Sequence, residues 1–293
     1  MIVVMEHEAS EQAVEAVISF LVSSGFDVHR SSGHTRTILG VVGDVGMDDA
    51  HVVRELPGVA EVVRIGEPFK LASRRFRTTP SVVEGPWGSI GGDRPWIAIE
   101  PVGIERAIST EGTEVSLGQR DYELKAGRAF DAAVLRTRRV PKSVGSLACL
   151  SLHPKSSDQP WWVTFVERGP SWGANTWIGE AEKALARGEG QVVLLEAGGE
   201  YPNGARTFEI AAIARAKLRT HLPIVIDVPT IAQRARYCSA VAGAAIGSGA
   251  DGVILRVWVG PENEHPRTAA TLRWDEALSL ADKLRQVGAA MRR

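Results

Sequence analysis

Two apolar runs, Leu222-Pro-Ile-Val-Ile-Asp-Val-Pro-Thr230 and Gly252-Val-Ile-Leu-Arg-Val-Trp258, constrain this chain more than any other feature. Neither alternates polar with apolar residues; each runs through Val, Ile and Leu to a charged residue, Asp227 or Arg256. A strand buried on both faces reads this way, as in a parallel sheet covered by helices. Similar runs occur at Trp96–Glu100, Glu114–Leu117, Ala132–Leu135, Val163–Val166 and Val192–Leu195, which with Ile224–Ile226 and Val253–Val257 make seven strands. Helical spacing between or after them covers Ala181–Arg187, Phe208–Leu218, Arg234–Ile246 and Trp274–Val287. Such alternation over roughly 200 residues predicts an α/β fold of the (β/α) TIM-type barrel class. The spacing is tight around residues 100–113, where one βα unit is expected to be missing or rebuilt.

The first 66 residues carry a different pattern. A strand at Ile2–Met5 is followed after Ser10 by Val14, Val17, Ile18, Leu21 and Val22 at helical spacing, ending at Gly25. Strand-like Phe26–His29 and Thr37–Val42, a helix around Asp48–Leu56 and a strand at Ala60–Ile65 complete the order βαββαβ. That order predicts a ferredoxin-like α+β domain, a regulatory or assembly module. Residues 67–94 then read as a linker with a possible small hairpin, because Val82, Val83 and Trp87 stand in a stretch rich in Pro and Gly. The basic patch Lys70-Leu-Ala-Ser-Arg-Arg-Phe-Arg77 reads as a solvated or interdomain surface. The barrel is expected over 95–293.

A formal net charge of -1 without blocks of like charge offers no footprint for nucleic acid or an anionic membrane. No run approaches the length that spans a bilayer. Two cysteines, Cys149 and Cys238, cannot make a disulfide framework. The N-terminus turns charged after five residues, unlike a signal peptide. The expectation is a cytoplasmic protein whose candidate partners are a small anionic metabolite, further copies of itself in a homo-oligomer, and a pathway enzyme, with no nucleic acid and no membrane.

Several segments resemble one family. Met1-Ile-Val-Val-Met, Gly25-Phe-Asp-Val-His-Arg30, Gly40-Val-Val-Gly-Asp44, Leu56-Pro-Gly-Val59 and Lys70-Leu-Ala-Ser-Arg74 are similar to the N-terminal regulatory domain and linker of one group of enzymes. These are the type I 3-deoxy-D-arabino-heptulosonate 7-phosphate (DAHP) synthases that carry a ferredoxin-like extension. Thr113-Glu-Val115, Arg168-Gly169, Arg206-Thr-Phe-Glu209, Thr220-His-Leu-Pro223 and Gly249-Ala-Asp-Gly252 resemble segments of that family's barrel in the same order.

The resemblance implies condensation of phosphoenolpyruvate with erythrose 4-phosphate on a divalent metal held by Cys, His, Glu and Asp. The matching positions here depart from that set. The Gly-Pro-Cys-Ser motif corresponds to Glu100-Pro-Val-Gly103, which puts Val102 in place of Cys; Thr230 stands for the His, Arg256 for the Glu and Arg267 for the Asp. Valine, threonine and two guanidinium groups offer a dication no anionic or soft donor, so no metal and no other cofactor is expected. The phosphate-binding residues depart too. The Lys-Pro-Arg-Thr loop has no counterpart, Lys-Arg-Gly appears as Glu167-Arg168-Gly169, and Glu-Arg-Gly as Glu196-Ala197-Gly198. Of the phosphoenolpyruvate-binding cations only Arg138, in Arg136-Thr-Arg-Arg139, is retained. DAHP synthesis should therefore be absent.

The strand ends nevertheless gather charge. Glu167, Glu196, Asp227 and Arg256 are the candidate catalytic residues, with Arg136, Arg138, Arg168, Trp172 and Trp258 as candidate substrate contacts. In a barrel these converge on the C-terminal mouth. One reading has them as ion pairs filling a disused site, since buried charges must be paired. The other has Arg256 clamping a carboxylate while Glu167, Glu196 or Asp227 moves a proton. Trp161, Trp162, Trp172 and Trp177 either line an enlarged pocket or pack beneath a loop. Two functions follow: a metal-independent isomerase, lyase or cyclase acting on a shikimate-related or specialised metabolite, or a pseudoenzyme that regulates or assembles with a pathway enzyme.

Overall fold

The structure is a computed structural model that describes residues 1–7, 9–32, 37–42, 47–63, 69–103, 114–115, 129–136, 143–144, 146–152, 163–266 and 269–291. The chain divides into two units, Met1–Pro68 and Phe69–Arg293.

In the first unit, β1 (Ile2–Met5), α1 (Glu11–Ser23), β2 (Asp27–Ser32), β3 (Thr37–Val42), α2 (Met47–Arg54) and β4 (Val59–Val63) follow in the expected order. The sheet is antiparallel throughout, in the order β2-β3-β1-β4, which is the ferredoxin-like arrangement. Helix α1 starts where Ser10 Oγ accepts the Ala13 N–H at 3.2 Å, an N-cap that satisfies one otherwise unpaired donor. It stops before Gly25, whose φ of 86° suits a residue without Cβ. Its buried face, Val14, Val17 and Leu21, lies on Val3, Met5, Leu39, Val41 and Val62 of the sheet.

The second unit opens with a segment pinned to the barrel and a hairpin of β5 (Val83–Gly85) and β6 (Gly88–Ile90). The strands that follow are β7 (Trp96–Val102), β8 (Glu114–Val115), β9 (Ala132–Leu135), β10 (Ser143–Val144), β11 (Leu147–Ser151) and β12 (Thr164–Glu167). From there helices alternate with strands: α3 (Ala174–Ala186), β13 (Val192–Glu196), a hairpin of β14 (Gly199–Glu200) and β15 (Arg206–Thr207), and α4 (Ile210–Arg219). The unit finishes with β16 (Ile224–Asp227), α5 (Val228–Ala232), α6 (Ala235–Gly247), β17 (Gly252–Trp258) and α7 (Trp274–Met291).

Seven strands pair in parallel in the order β12-β13-β16-β17-β7-β9-β11, giving a curled TIM-type sheet. β10 runs antiparallel beside β11, and β8 pairs with β10 at the sheet's end. Sequence and structure part here: of the strand expected at Glu114–Leu117 the described part, Glu114–Val115, lies at the sheet's edge, 116–117 fall outside the described residues, and the strand beside β9 is Leu147–Ser151, which the pattern does not single out. Ala148, Cys149 and Ser151 give that segment little β-branched character, so tertiary pairing rather than propensity makes it a strand. Among the described residues, every helix of this unit follows β12. Most of 100–113, where a unit was expected to be missing, lies outside the described residues.

Successive side chains of a strand point to opposite faces. Trp96 and Ala98, Ala132 and Val134, Phe165, Val193 and Leu195, Val225 and Ile254 form the interior cluster. Ile97, Ile99, Leu194, Ile224, Ile226, Val253 and Leu255 face the helices. Trp87 and Ile90 join the interior cluster, and the Trp87 carbonyl accepts Trp96 Nε1–H at 2.8 Å, so the hairpin fills the end of the barrel where the strands begin. Residues 69–94, expected as linker, thus belong to the second unit.

Candidate functional site: paired charges at the ends of the strands

Continuing each inward-facing row by two residues puts a charged side chain at the opposite, C-terminal end of five strands. Glu100 follows Ala98, Arg136 follows Val134, Glu167 follows Phe165, Asp227 follows Val225 and Arg256 follows Ile254. The register sets Arg256 of β17 directly beside Glu100 of β7.

Four of these five side chains form one network. Glu100 sits between two guanidinium groups: Arg256 Nε donates to it at 3.1 Å and Arg256 Nη2 at 3.0 Å, while Arg136 Nε donates at 3.1 Å. Arg136 Nη2 also donates to both oxygens of Asp227, at 2.8 and 2.7 Å, and the Thr230 hydroxyl donates to Asp227 at 2.7 Å. The carboxylates are the deep members: the Asp227 side chain is 1% exposed and that of Glu100 11%, against 31% for Arg136 and 26% for Arg256. Two cations and two anions balance. Burial alone would lower Arg136, but the Asp227 and Glu100 carboxylates outweigh it and hold the guanidinium above its ordinary value. Nη1 of both arginines makes no hydrogen bond among the described residues.

This chemistry does not fit a divalent metal. A cation beside Asp227 would meet the Arg136 guanidinium already bonded there, and Arg256 donates protons where a ligand must offer a lone pair. Val102 has no donor atom, and Arg267 lies outside the described residues. Among the described residues no three His, Cys, Asp or Glu side chains converge as ligands. Nor are the thiols available as soft ligands or nucleophiles, since burial pushes Cys149 up to about 12 and Cys238 up to about 11.

The other sequence-derived candidates are scattered. Glu196 and Arg168 form a second buried pair on the helix-facing side: Arg168 Nη2 donates to Glu196 at 3.0 Å, Nε makes a second, shorter contact, and Nη1 donates to the Trp172 carbonyl at 2.7 Å. Glu196 also accepts the Gly198 N–H at 2.7 Å, so neither charge is left to meet a substrate. Glu167 is exposed. Trp172 covers Gly169, where an added Cβ would come within 2.6 Å of the ring, and Trp177 is fully buried with its Nε1–H on the Val166 carbonyl. Both therefore pack under the loop after β12. Trp258 lies over Gly103 and Gly260 and donates to the Pro261 carbonyl at 2.8 Å. Arg138, Trp161 and Trp162 fall outside the described residues.

Glu100, the hub of the network, was not among the sequence candidates. Its signal was present, since Trp96-Ile-Ala-Ile-Glu100 ends on a charge as the runs to Asp227 and Arg256 do.

Fold and site together define a TIM-type α/β protein with an N-terminal ferredoxin-like domain and a barrel mouth occupied by its own ion pairs. Residues 1–67 match the DAHP synthase ferredoxin-like domain. Over the whole length, the phospho-2-dehydro-3-deoxyheptonate aldolase of Thermotoga maritima is 23% identical, spanning 99% of this chain and 98% of the relative. The crystal structure of phospho-2-dehydro-3-deoxyheptonate aldolase (DAHP synthase) from Thermotoga maritima superposes with a TM-score of 0.78 at 20% identity, covering 99% of this chain and 97% of that one. A truncated form of the Thermotoga maritima synthase gives 0.59 at 19% identity over 75% of this chain and 97% of its own. At such identities the superpositions speak for the fold alone. Residues 1–67 thus match the ferredoxin-like domain of DAHP synthases, the whole chain is similar in sequence to one such enzyme, and it shares that enzyme's fold.

Proposed function

We propose that this protein is a DAHP-synthase-like protein that does not make DAHP by a metal-dependent route, and that its barrel serves binding and assembly beside a pathway enzyme. The observation that supports this is the bidentate clasp of Arg256 on Glu100. Both groups are committed to each other, and Asp227 is committed to Arg136 and Thr230. No carboxylate of the network is left unpaired to serve as a general base.

The test is direct. Purified protein supplied with phosphoenolpyruvate, erythrose 4-phosphate and manganese should yield no DAHP above a protein-free blank. Its melting temperature should be the same with manganese and with EDTA, because a ligand that binds only the folded state would raise it. Metal-dependent turnover would sink the proposal. A positive counterpart is a change in the rate or the feedback response of an active pathway enzyme on mixing.

A second reading, a metal-independent lyase, isomerase or cyclase on a small anionic metabolite, is supported by a different observation. Glu167 is exposed on the inward-facing row, and among the described residues no partner takes the Nη1 edges of Arg136 and Arg256, a geometry that suits a carboxylate. Metabolite profiling of a deletion strain decides it: an accumulated substrate that Glu167→Ala fails to clear supports the enzyme, and an unchanged profile removes it.

A further inference from the structure

The segment that opens the second unit is fastened to the barrel by groups that the mouth does not use. The Glu182 carboxylate of α3 accepts three successive backbone N–H groups, those of Lys70 and Leu71 at 3.0 Å and Ala72 at 2.8 Å. The Thr220 hydroxyl donates to the Ala72 carbonyl at 2.6 Å, and the Arg74 N–H donates to the Arg219 carbonyl at 2.8 Å. Between these lies buried His221, which bridges two points of the segment ten residues apart. Its Nε2 is 2.7 Å from the Leu71 carbonyl and its Nδ1 is 2.7 Å from Ser81 Oγ.

The chemistry of the partners fixes the tautomer. A carbonyl only accepts, so Nε2 carries the proton, and Nδ1 must accept from the Ser81 hydroxyl. A second proton on Nδ1 would turn it into a donor, force the Ser81 hydroxyl to give up its own donation and accept instead, and place a full charge in a buried position. The charged groups around it are Arg74 and Arg77 on the segment and Glu182 on α3. Burial first, and then the two arginines, disfavour the imidazolium; the Leu71 carbonyl and Glu182 oppose them, and the balance holds His221 below its ordinary value.

We propose that His221 is a proton-operated latch, whose protonation releases residues 70–81 from the barrel. The sign follows from linkage. The released imidazole titrates near its ordinary value of about 6.5, and the latched one below that. Opening therefore takes up a proton in the window under about pH 6.5, and falling pH favours it by up to about tenfold per pH unit for one proton.

Trypsin reports the opening, because Arg74, Arg75 and Arg77 lie within the latched segment. Cleavage there, divided by cleavage of a free peptide of residues 69–81 at the same pH, should rise between pH 7.5 and 5.5, by at most about tenfold. Cleavage after Lys283, in α7 away from the segment, should stay flat over that range and so separate release from general loosening. His221→Gln should abolish the rise. Ser81→Ala keeps the imidazole but removes its hydroxyl donor, and should raise cleavage at pH 7.5 while shrinking the further acid response. A flat profile for the unaltered protein, an undiminished rise in His221→Gln, or a parallel rise after Lys283 would each overturn the latch.

Discussion

At the residue scale the most informative side chain is Glu100. It shares its carboxylate with two guanidinium groups, and among the described residues removing it would leave Arg256 without an ion-pair partner and Arg136 with Asp227 alone. Breaking a buried pair by deleting one member costs about 3–5 kcal/mol, less here because the arginines reach solvent. Glu100→Ala should therefore lower unfolding stability by about 2–3 kcal/mol. The double change Glu100→Ala with Arg256→Ala should cost about 1–2 kcal/mol less than the sum of the single ones, because it leaves no orphaned charge. Urea unfolding of the four proteins gives the coupling directly, and simple additivity would mean that the clasp contributes nothing. The sequence held every member of this cluster but not their pairing. Arg256 meets Glu100 because β17 lies beside β7 in matched register, a relation between segments some 150 residues apart.

At the element scale, the helices show local propensity and packing pulling against each other. Gly243 in α6 has nothing within 4 Å of an added Cβ, so Gly243→Ala should stabilise the protein by about 0.5–1 kcal/mol through helix propensity. Gly288 in α7 has the same intrinsic preference for alanine. There the new methyl would fall 2.2 Å from Pro95 Cγ, and the overlap costs about 1–3 kcal/mol. Gly288→Ala should thus destabilise, and thermal melts of the two variants should move in opposite directions. The same contest explains which elements could be read. α4, α6 and α7 carry regular apolar spacing and appeared within a few residues of their ends. α3 begins at Ala174, well before the expected Ala181, because Trp177 and Gly179 obscure its first turns. The five-residue α5 was hidden by Pro229, which suits a first helical turn as well as it suits the end of a strand.

At the scale of the whole molecule, the ferredoxin-like order and the parallel sheet were legible because both rest on long periodic patterns. The sheet's order was less so. β11 is weakly β-prone, and only the pairing of complete strands shows that it, rather than the segment at Glu114–Val115, extends the parallel sheet. No helix among the described residues is long and apolar enough to cross a membrane. The charge at the mouth also has a meaning at this scale. Two arginines there are balanced by a glutamate and an aspartate, so among the described residues the network carries no net charge of its own. Long-range steering of anions toward it would depend on charges outside the network, and salt should have little effect on its internal pairs.

The hairpin of β5 and β6 bears on how this protein can be divided. Trp87 and Ile90 are part of the barrel interior although they precede its first parallel strand, so the natural cut falls before Phe69 and not before Pro95. A protein shortened to Phe69–Arg293 should unfold cooperatively. One shortened to Pro95–Arg293 would expose the surface that Trp87 covers, about 150–250 Å² or roughly 4–6 kcal/mol of burial, and should bind a hydrophobic dye. The short stretch that looks like mere tether travels with the barrel as its floor, so a boundary drawn at the first parallel strand would cut through the barrel's own core.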